Sequence, residues 1–322
     1  MNILVVGGAG YIGSHMTYRL NQENHSVVVL DDLSAGFRDA VKGAKLIIGS
    51  LADQALLEHI FSEHQFDAVM HFASFIQVGE SVRKPADYYR NNVINTLNLL
   101  EAMVTHQVKN FVFSSTAAIF GNPEYCPIDE KHRAWPINPY GQSKWMVEQI
   151  LGDFELAYGL QSVCLRYFNA AGALPEAGLG ERHNPETHLI PLILQVASGR
   201  REAISVYGSD YDTPDGTCIR DYIHIMDLCD AHLLAINHLI SGKGSARYNL
   251  GNGLGYSVQE VIKTAGEVTE RNIKVLPEGR RPGDPARLVA DSKLARAELG
   301  WEPKRAQLER IIRDAWLWEQ RK

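Results

Sequence analysis

Val5-Val6-Gly7-Gly8-Ala9-Gly10-Tyr11-Ile12-Gly13 is the stretch that decides the fold. The apolar run at 3–6 reads as a buried strand, and the periodicity of 12–21 reads as a helix. Glycines at 7, 10 and 13 allow a sharp turn, a close backbone approach to a ligand and tight seating of the helix on the strand. A pyrophosphate at such a turn lies at the positive end of the helix. Without the strand before and the helix after, the same glycines describe only a surface turn.

Outward from this loop, short Val-, Ile- and Leu-rich runs recur at 27–30, 46–48, 68–72, 110–114 and 162–167. Helical stretches at 55–64, 88–106 and 140–158 separate the later ones. Strands that are apolar throughout, alternating with helices, predict a parallel sheet covered on both faces, a doubly wound Rossmann α/β fold. Beyond residue 170 the rhythm breaks, with segments rich in Gly, Pro, Asp and Glu at 171–186 and 208–217. The expectation is a cofactor-binding Rossmann domain over 1–170. A second, smaller mixed α/β domain then covers 171–322, with some segments returning to the first. A chain of 322 residues is long enough for two lobes and a cleft between them.

Asp31 follows the second strand, where a carboxylate accepts hydrogen bonds from the adenine ribose 2′-OH. With Asp32 beside it, it repels a 2′-phosphate, and the nearest cation is Arg38, so NAD is favoured over NADP. Composition narrows the classes further. Hydrophobic residues at 45%, charged residues at 22% and a net charge of -6 describe a globular protein with no attraction to nucleic acid. The start lacks a basic leader and no apolar run matches a membrane span, so a cytoplasmic protein without a membrane partner is expected. Cys126, Cys164, Cys218 and Cys229 lack CxxC spacing, and the 12 histidines show no HExxH or HxH pairing, so no metal is expected.

Tyr140 and Lys144 open a helix just after Pro139, and a spacing of four puts them on one face. A phenol, with an ordinary pKa of about 10, becomes a base near neutrality only when its anion is stabilised, which a nearby ammonium does. Thr116 ends the strand of Phe113-Ser114-Ser115, at the edge of the sheet where doubly wound folds bind ligands. Without that company, Tyr140 and Lys144 would read as an amphipathic helix start and Thr116 as a strand terminator.

The glycine loop, Thr116 and the YxxxK pair together resemble the extended short-chain dehydrogenase/reductase family. Within it the chain is similar over essentially its whole length to the UDP-glucose (UDP-galactose) 4-epimerases. The segments that carry this are His71-Phe72-Ala73, Val78-Gly79-Glu80-Ser81, Asn91-Asn92-Val93, Arg166-Tyr167-Phe168-Asn169, Arg220-Asp221-Tyr222-Ile223-His224, Tyr248-Asn249-Leu250-Gly251 and Arg280-Arg281-Pro282-Gly283-Asp284.

The resemblance implies catalysis by Thr116, Tyr140 and Lys144. It implies an NAD pocket of Gly7, Gly10, Tyr11, Ile12, Gly13, Asp31, Asp32, Ser50, Leu51, Phe72, Ala73, Asn91 and Phe168, shared with Tyr140 and Lys144. For the UDP-sugar it implies Thr116, Asn169, His188, Leu189, Tyr207, Arg220, Arg281, Asp284 and Leu288, with Tyr207 near uracil and both arginines on the diphosphate. The bland alternatives are a surface pair with Asp221 for Arg220 and a solvated loop charge for Arg281. In the implied reaction Tyr140 takes the sugar 4-OH proton through Thr116 while the C4 hydride passes to NAD. The 4-keto sugar turns over and receives the hydride on its other face.

Several positions depart from the family. Ser50 stands where many relatives have Asp, Ile76 where they have Lys, and His188 where Asn is common. Leu288 is intermediate between the bulky Tyr of some relatives and the small residue of those that admit N-acetylated sugars. UDP-N-acetylhexosamine and UDP-pentose (xylose or arabinose) substrates therefore stay open as alternatives. A sugar-nucleotide 4,6-dehydratase is disfavoured, because Ala117 and Ala118 follow Thr116 where such enzymes place acids. A non-enzymatic NAD-binding scaffold has no use for Thr116, Tyr140 and Lys144 together. By resemblance, the helices at 88–106 and 140–158 form a homodimer interface.

Overall fold

The strand runs of the first half, joined by one from far along the chain, build a seven-stranded parallel sheet: β1 (Asn2–Val6), β2 (Ser26–Asp31), β3 (Lys45–Ile48), β4 (Ala68–His71), β5 (Asn110–Thr116), β6 (Gln161–Tyr167) and β7 (Ala246–Leu250). The computed structural model describes residues 1–281 and 284–322; Pro282 and Gly283 of the 280–284 segment lie outside the described residues. Strand order is β7-β6-β5-β4-β1-β2-β3, which reverses direction between β1 and β4. A crevice opens at the carboxyl ends of the strands where the winding reverses, and that is where doubly wound folds bind their ligands.

The apolar run at 3–6 of β1 is explained by the layers on either side. Ile3 and Val5 pack with Met16 and Leu20 of α1 (Tyr11–Gln22). Leu4 and Val6 pack on the opposite face with α2 (Gln54–Glu63), α3 (Asn95–Thr105) and α4 (Pro139–Tyr158). In the second lobe, α5 (Leu189–Ala197) precedes α6 (Ile225–Ile240), which instead joins the sheet cluster on the α1 side. The lobe's own core joins α5 to α7 (Val258–Thr269) and α8 (Leu308–Glu319). Its strand pairs are mixed, with Ile204–Tyr207 parallel to Val275–Glu278 and Ile219–Arg220 between an antiparallel and a parallel neighbour. Among the described residues no helix is long and apolar enough to cross a membrane.

Two details differ from the periodicity reading. The stretch 88–106 is not one α-helix: Pro85–Tyr89 ends in a π-turn over Arg90–Ile94 before α3 begins. The π-turn accompanies the buried Asn92 amide, which bonds outside the helix to Phe75 N and O at 2.8 and 3.0 Å. Such turns are frequent at functional sites. β7 gave no apolar run because Arg247 and Asn249 interrupt it, yet Tyr248 and Leu250 are fully buried.

Candidate functional site

The glycine loop leaves β1 with Gly7 at φ +77, its N–H donating to Leu30 O at 2.8 Å. A Cβ on Gly7 would lie 2.4 Å from Ala73 N, and one on Gly13 would lie 2.1 Å from Gly7 O. Both positions therefore exclude any side chain. Gly10 differs, since a Cβ there would meet only Gly7 O, at 3.5 Å. It caps α1 without a side-chain hydrogen bond, leaving the first-turn N–H groups beside an open cradle. That cradle fits an anionic pyrophosphate.

Asp31 stands next to it and is also part of its construction. Its Oδ2 accepts the Ala9 N–H and its Oδ1 the Leu33 N–H, each at 2.8 Å, so the carboxylate staples the loop to the end of β2. Burial raises its pKa, and those two N–H bonds oppose the rise. Each oxygen keeps another lone pair for a ribose hydroxyl. Asp32, in contrast, is exposed and caps the Ser34 turn. Ala73 abuts Gly7, while Phe72 lies 5.0 Å from the His232 ring. Leu51 is buried, the Ser50 hydroxyl accepts from Ala52 N, and Ile76 is largely exposed. Asn91 donates to Asn92 Oδ1 within the π-turn. Tyr11 directs its hydroxyl away to Gly172 O at 2.7 Å, so only its backbone joins the cradle.

Thr116 ends β5, 8% exposed, and Tyr140 sits half-buried in the first turn of α4. Burial raises the Tyr140 pKa, and the Thr116 side chain works against that rise. Lys144, one turn on, is 3% exposed; its Nζ donates to Ser74 Oγ at 2.6 Å and to Ser114 O at 2.8 Å. Burial lowers its pKa to about 7, opposed by the negative charge of Glu148. A phenol that resists ionisation thus shares a helix face with an ammonium that balances between charged and neutral near pH 7.

Toward the second lobe, the Arg281 guanidinium stacks 3.7 Å above the Tyr207 ring, which ends the strand Ile204–Tyr207. Arg220 does not pair with Asp221. It ion-pairs with Asp284 and donates to Ile219 O at 2.8 Å, while the buried Asp221 accepts N–H bonds from Asn252, Gly253 and Ala290. Asn169 donates to Asp221 O at 2.8 Å, and Leu189 begins α5. Leu288 and Phe168 pack on the cluster of Ala117, Ile119 and Phe120, which puts both beside the Thr116 end of β5. His188 directs its Nδ1 to Glu181 and Glu186, at 2.8 and 2.9 Å.

Sequence reasoning missed the residues that hold this site in place. Asn92 donates to Ser143 Oγ at 3.0 Å besides gripping Phe75, so it fixes the Ser74 loop against α4. Glu148, on α4 and completely buried, accepts from Arg166 Nη2 at 2.6 Å and Ser115 Oγ at 2.5 Å. The available signal was a charge at an otherwise apolar position of each element: Glu148 in α4, and Arg166 after the apolar Val163-Cys164-Leu165 of β6.

The family model for "NAD dependent epimerase/dehydratase family" matches residues 3–251. A UDP-glucose 4-epimerase from Halalkalibacterium halodurans is 51% identical over 318 residues, covering 99% of this chain and 95% of its own. A crystal structure of a UDP-glucose 4-epimerase superposes with a TM-score of 0.98 at 49% identity, over 100% of this chain and 98% of the other. Another, from Brucella ovis in complex with NAD, superposes with a TM-score of 0.96 at 47% identity, over 98% and 97%.

Proposed function

The chain belongs to the NAD dependent epimerase/dehydratase family, and on that premise we propose that it is a UDP-sugar 4-epimerase interconverting UDP-galactose and UDP-glucose through a transient 4-keto sugar. The observation that carries this reading is Tyr140 and Lys144 on one face of α4, with Thr116 beside Tyr140 and alanines following it. When bound, NAD supplies the acceptor, and then the donor, of the C4 hydride. Gly7, Gly10, Tyr11, Ile12 and Gly13 would hold it by backbone and Asp31 by its free lone pairs. Phe72, Ala73, Asn91, Leu51 and Phe168 would wall the pocket.

The chain's own side chains handle the proton. Tyr140 removes it from the sugar 4-OH with Thr116 bridging, and returns it to the 4-oxygen after the sugar has turned. Burial disfavours the phenolate, so an ammonium is needed, and Lys144 supplies it from a position fixed by Ser74 and Ser114. Lys144 retains a third N–H for a ligand oxygen. Arg220 and Arg281 would take the diphosphate and Tyr207 the uracil, with Asn169, Leu189, Asp284 and Leu288 completing the substrate side. His188, committed to Glu181 and Glu186, would support that wall. Ala117 and Ala118 present no acid to expel a 6-hydroxyl, which separates this reading from a dehydratase.

We further assign 1–170, with β7 and α6, to the cofactor lobe and most of the remainder to the sugar-nucleotide lobe. A homodimer is supported by exposed Ile94, just before α3, and Leu156 on α4. Tyr140→Phe tests the mechanism. Turnover of UDP-galactose should fall at least about 100-fold, the scale of lost acid–base catalysis, with bound NAD retained. Near-normal turnover would remove Tyr140 from the role.

A further inference from the structure

No proton or hydride step above uses the segment Glu181-x-His183-x-x-Glu186-x-His188, whose His188 backs the substrate wall, yet it gathers four donor atoms in one place. One carboxylate oxygen or imidazole nitrogen from each residue lies within 4.8 Å of all the others. His183 Nδ1 is 3.4 Å from both Glu181 Oε1 and Glu186 Oε2. His188 Nδ1 is 2.8 Å from Glu181 Oε1 and 2.9 Å from Glu186 Oε1. Both carboxylates are nearly buried, with side chains 7% and 6% exposed. Among the described residues no lysine or arginine ion-pairs with either; the Lys322 ammonium nearby bonds instead to the Glu181 backbone carbonyl, at 2.8 Å. The buried His183 Nδ1 has no hydrogen bond of normal geometry.

We propose that Glu181, His183, Glu186 and His188 form a structural zinc site. Two imidazoles and two carboxylates are a zinc-type donor set, and four protein ligands describe a closed site. A tetrahedral ion with bonds of about 2.0–2.1 Å separates neighbouring donors by about 3.4 Å, so the two His183 distances match such an edge, while the His188 distances need to open by about half an ångström and Glu186, which faces His183 with Oε2 and His188 with Oε1, must turn one oxygen into the site. A dication with two neutral imidazoles also balances the two buried carboxylates without a further cation.

The placement gives the ion a purpose. His188 is the N-cap of α5 and contributes no capping bond there. The Glu181 carbonyl also accepts from Trp318 Nε1 at 3.0 Å, on α8. Tyr11, which opens α1 at the glycine loop, presents its ring edge-on to His183 at 6.4 Å. One ion would tie the start of the nucleotide-facing helix, the C-terminal helix and the cofactor loop together. The spacing escaped sequence reading because it matches neither the helical HExxH nor the strand HxH pattern.

The test uses the untagged full chain with excess zinc, then desalting and elemental mass spectrometry. About one zinc per chain is expected, and His183→Ala and Glu186→Gln should each reduce this to less than a tenth of an equivalent. Cobalt in place of zinc should give the intense visible bands of a tetrahedral site, a readout on the unaltered protein that stands if a variant misfolds. A wild-type chain that retains less than a tenth of an equivalent of zinc, or cobalt without tetrahedral bands, would overturn the proposal. So would metal retained in full by both variants, leaving only imidazolium–carboxylate pairs.

Discussion

Replacing Arg166 by methionine strips a buried carboxylate of its main counter-charge. In the folded chain Arg166 Nη2 donates to Glu148 Oε2 at 2.6 Å and Nε to Oε1 at 3.0 Å, with the two side chains 5% and 0% exposed. After the change Glu148 keeps Ser115 Oγ at 2.5 Å and Arg247 Nε at 3.2 Å, but Arg247 is nearly half exposed and screened. Leaving one member of a buried pair behind costs about 3–5 kcal/mol. Removing both charges with Glu148→Leu/Arg166→Met leaves the buried Ser115 hydroxyl unpaired, about 1–3 kcal/mol, and returns the half-exposed Arg247 Nε to solvent, so the double variant should be the more stable of the two. Urea unfolding followed by fluorescence, at pH 7 in saturating NAD, measures all four corners of the cycle. An Arg166→Met protein within about 1 kcal/mol of the parent would refute the reasoning, as would a double variant as unstable as the single losses summed. A kinetic consequence accompanies the thermodynamic one. Glu148 raises the pKa of Lys144, so Glu148→Gln should move the alkaline limb of the kcat/KM profile to lower pH.

The glycine positions should separate folding from cofactor binding. Gly13→Ala drives a Cβ to 2.1 Å from Gly7 O and should yield misfolded protein, whereas Gly10→Ala meets only that oxygen at 3.5 Å and should fold but purify with little NAD, as read by absorbance of the released cofactor. Acid should also weaken the fold. Burial holds His71 down at about 3, with the Lys144 charge adding to the effect, and His232 at about 4. Both stay neutral when folded while the unfolded chain takes up protons below about 6.5. Their contribution is complete above that pH and is lost as pH falls toward 4, at roughly 1 kcal/mol per unit for each. Unfolding free energies extrapolated from urea titrations at pH 7 and 5 should differ by about 3–5 kcal/mol from these two groups, and His232→Gln should flatten the slope.

The parts of this molecule set by local chemistry could be read directly. Gly7, Gly10 and Gly13 need their backbone geometry, a parallel strand needs an apolar run, and the Tyr140–Lys144 pair needs only a helix turn. Residues whose partners lie far along the chain could not be read in this way. β7 pairs with β6 about eighty residues after it, and its polar Arg247 and Asn249 are explained only by Glu148 and by the Ile128 carbonyl that meet them there. Asp31 was legible as a ribose acceptor but not as the staple of Ala9, because that bond exists only once the loop has turned back over β2. Arg220 looked like a neighbour of Asp221 and instead reaches Asp284, sixty-four residues away. The π-turn at Arg90–Ile94 keeps the composition of an α-helix, and only the Asn92 contacts reveal it.

The central claim is that the hydride removed at C4 returns to the same sugar, with Tyr140, Thr116 and Lys144 managing the proton. Incubating the purified protein with UDP-galactose and no added NAD tests this most directly, with products separated by chromatography and absorbance followed for NADH. The expected result is UDP-glucose accumulating to an equilibrium mixture with no net NADH. Unchanged UDP-galactose with cofactor still bound, stoichiometric NADH, or a 4-keto-6-deoxy sugar formed by loss of water would contradict it.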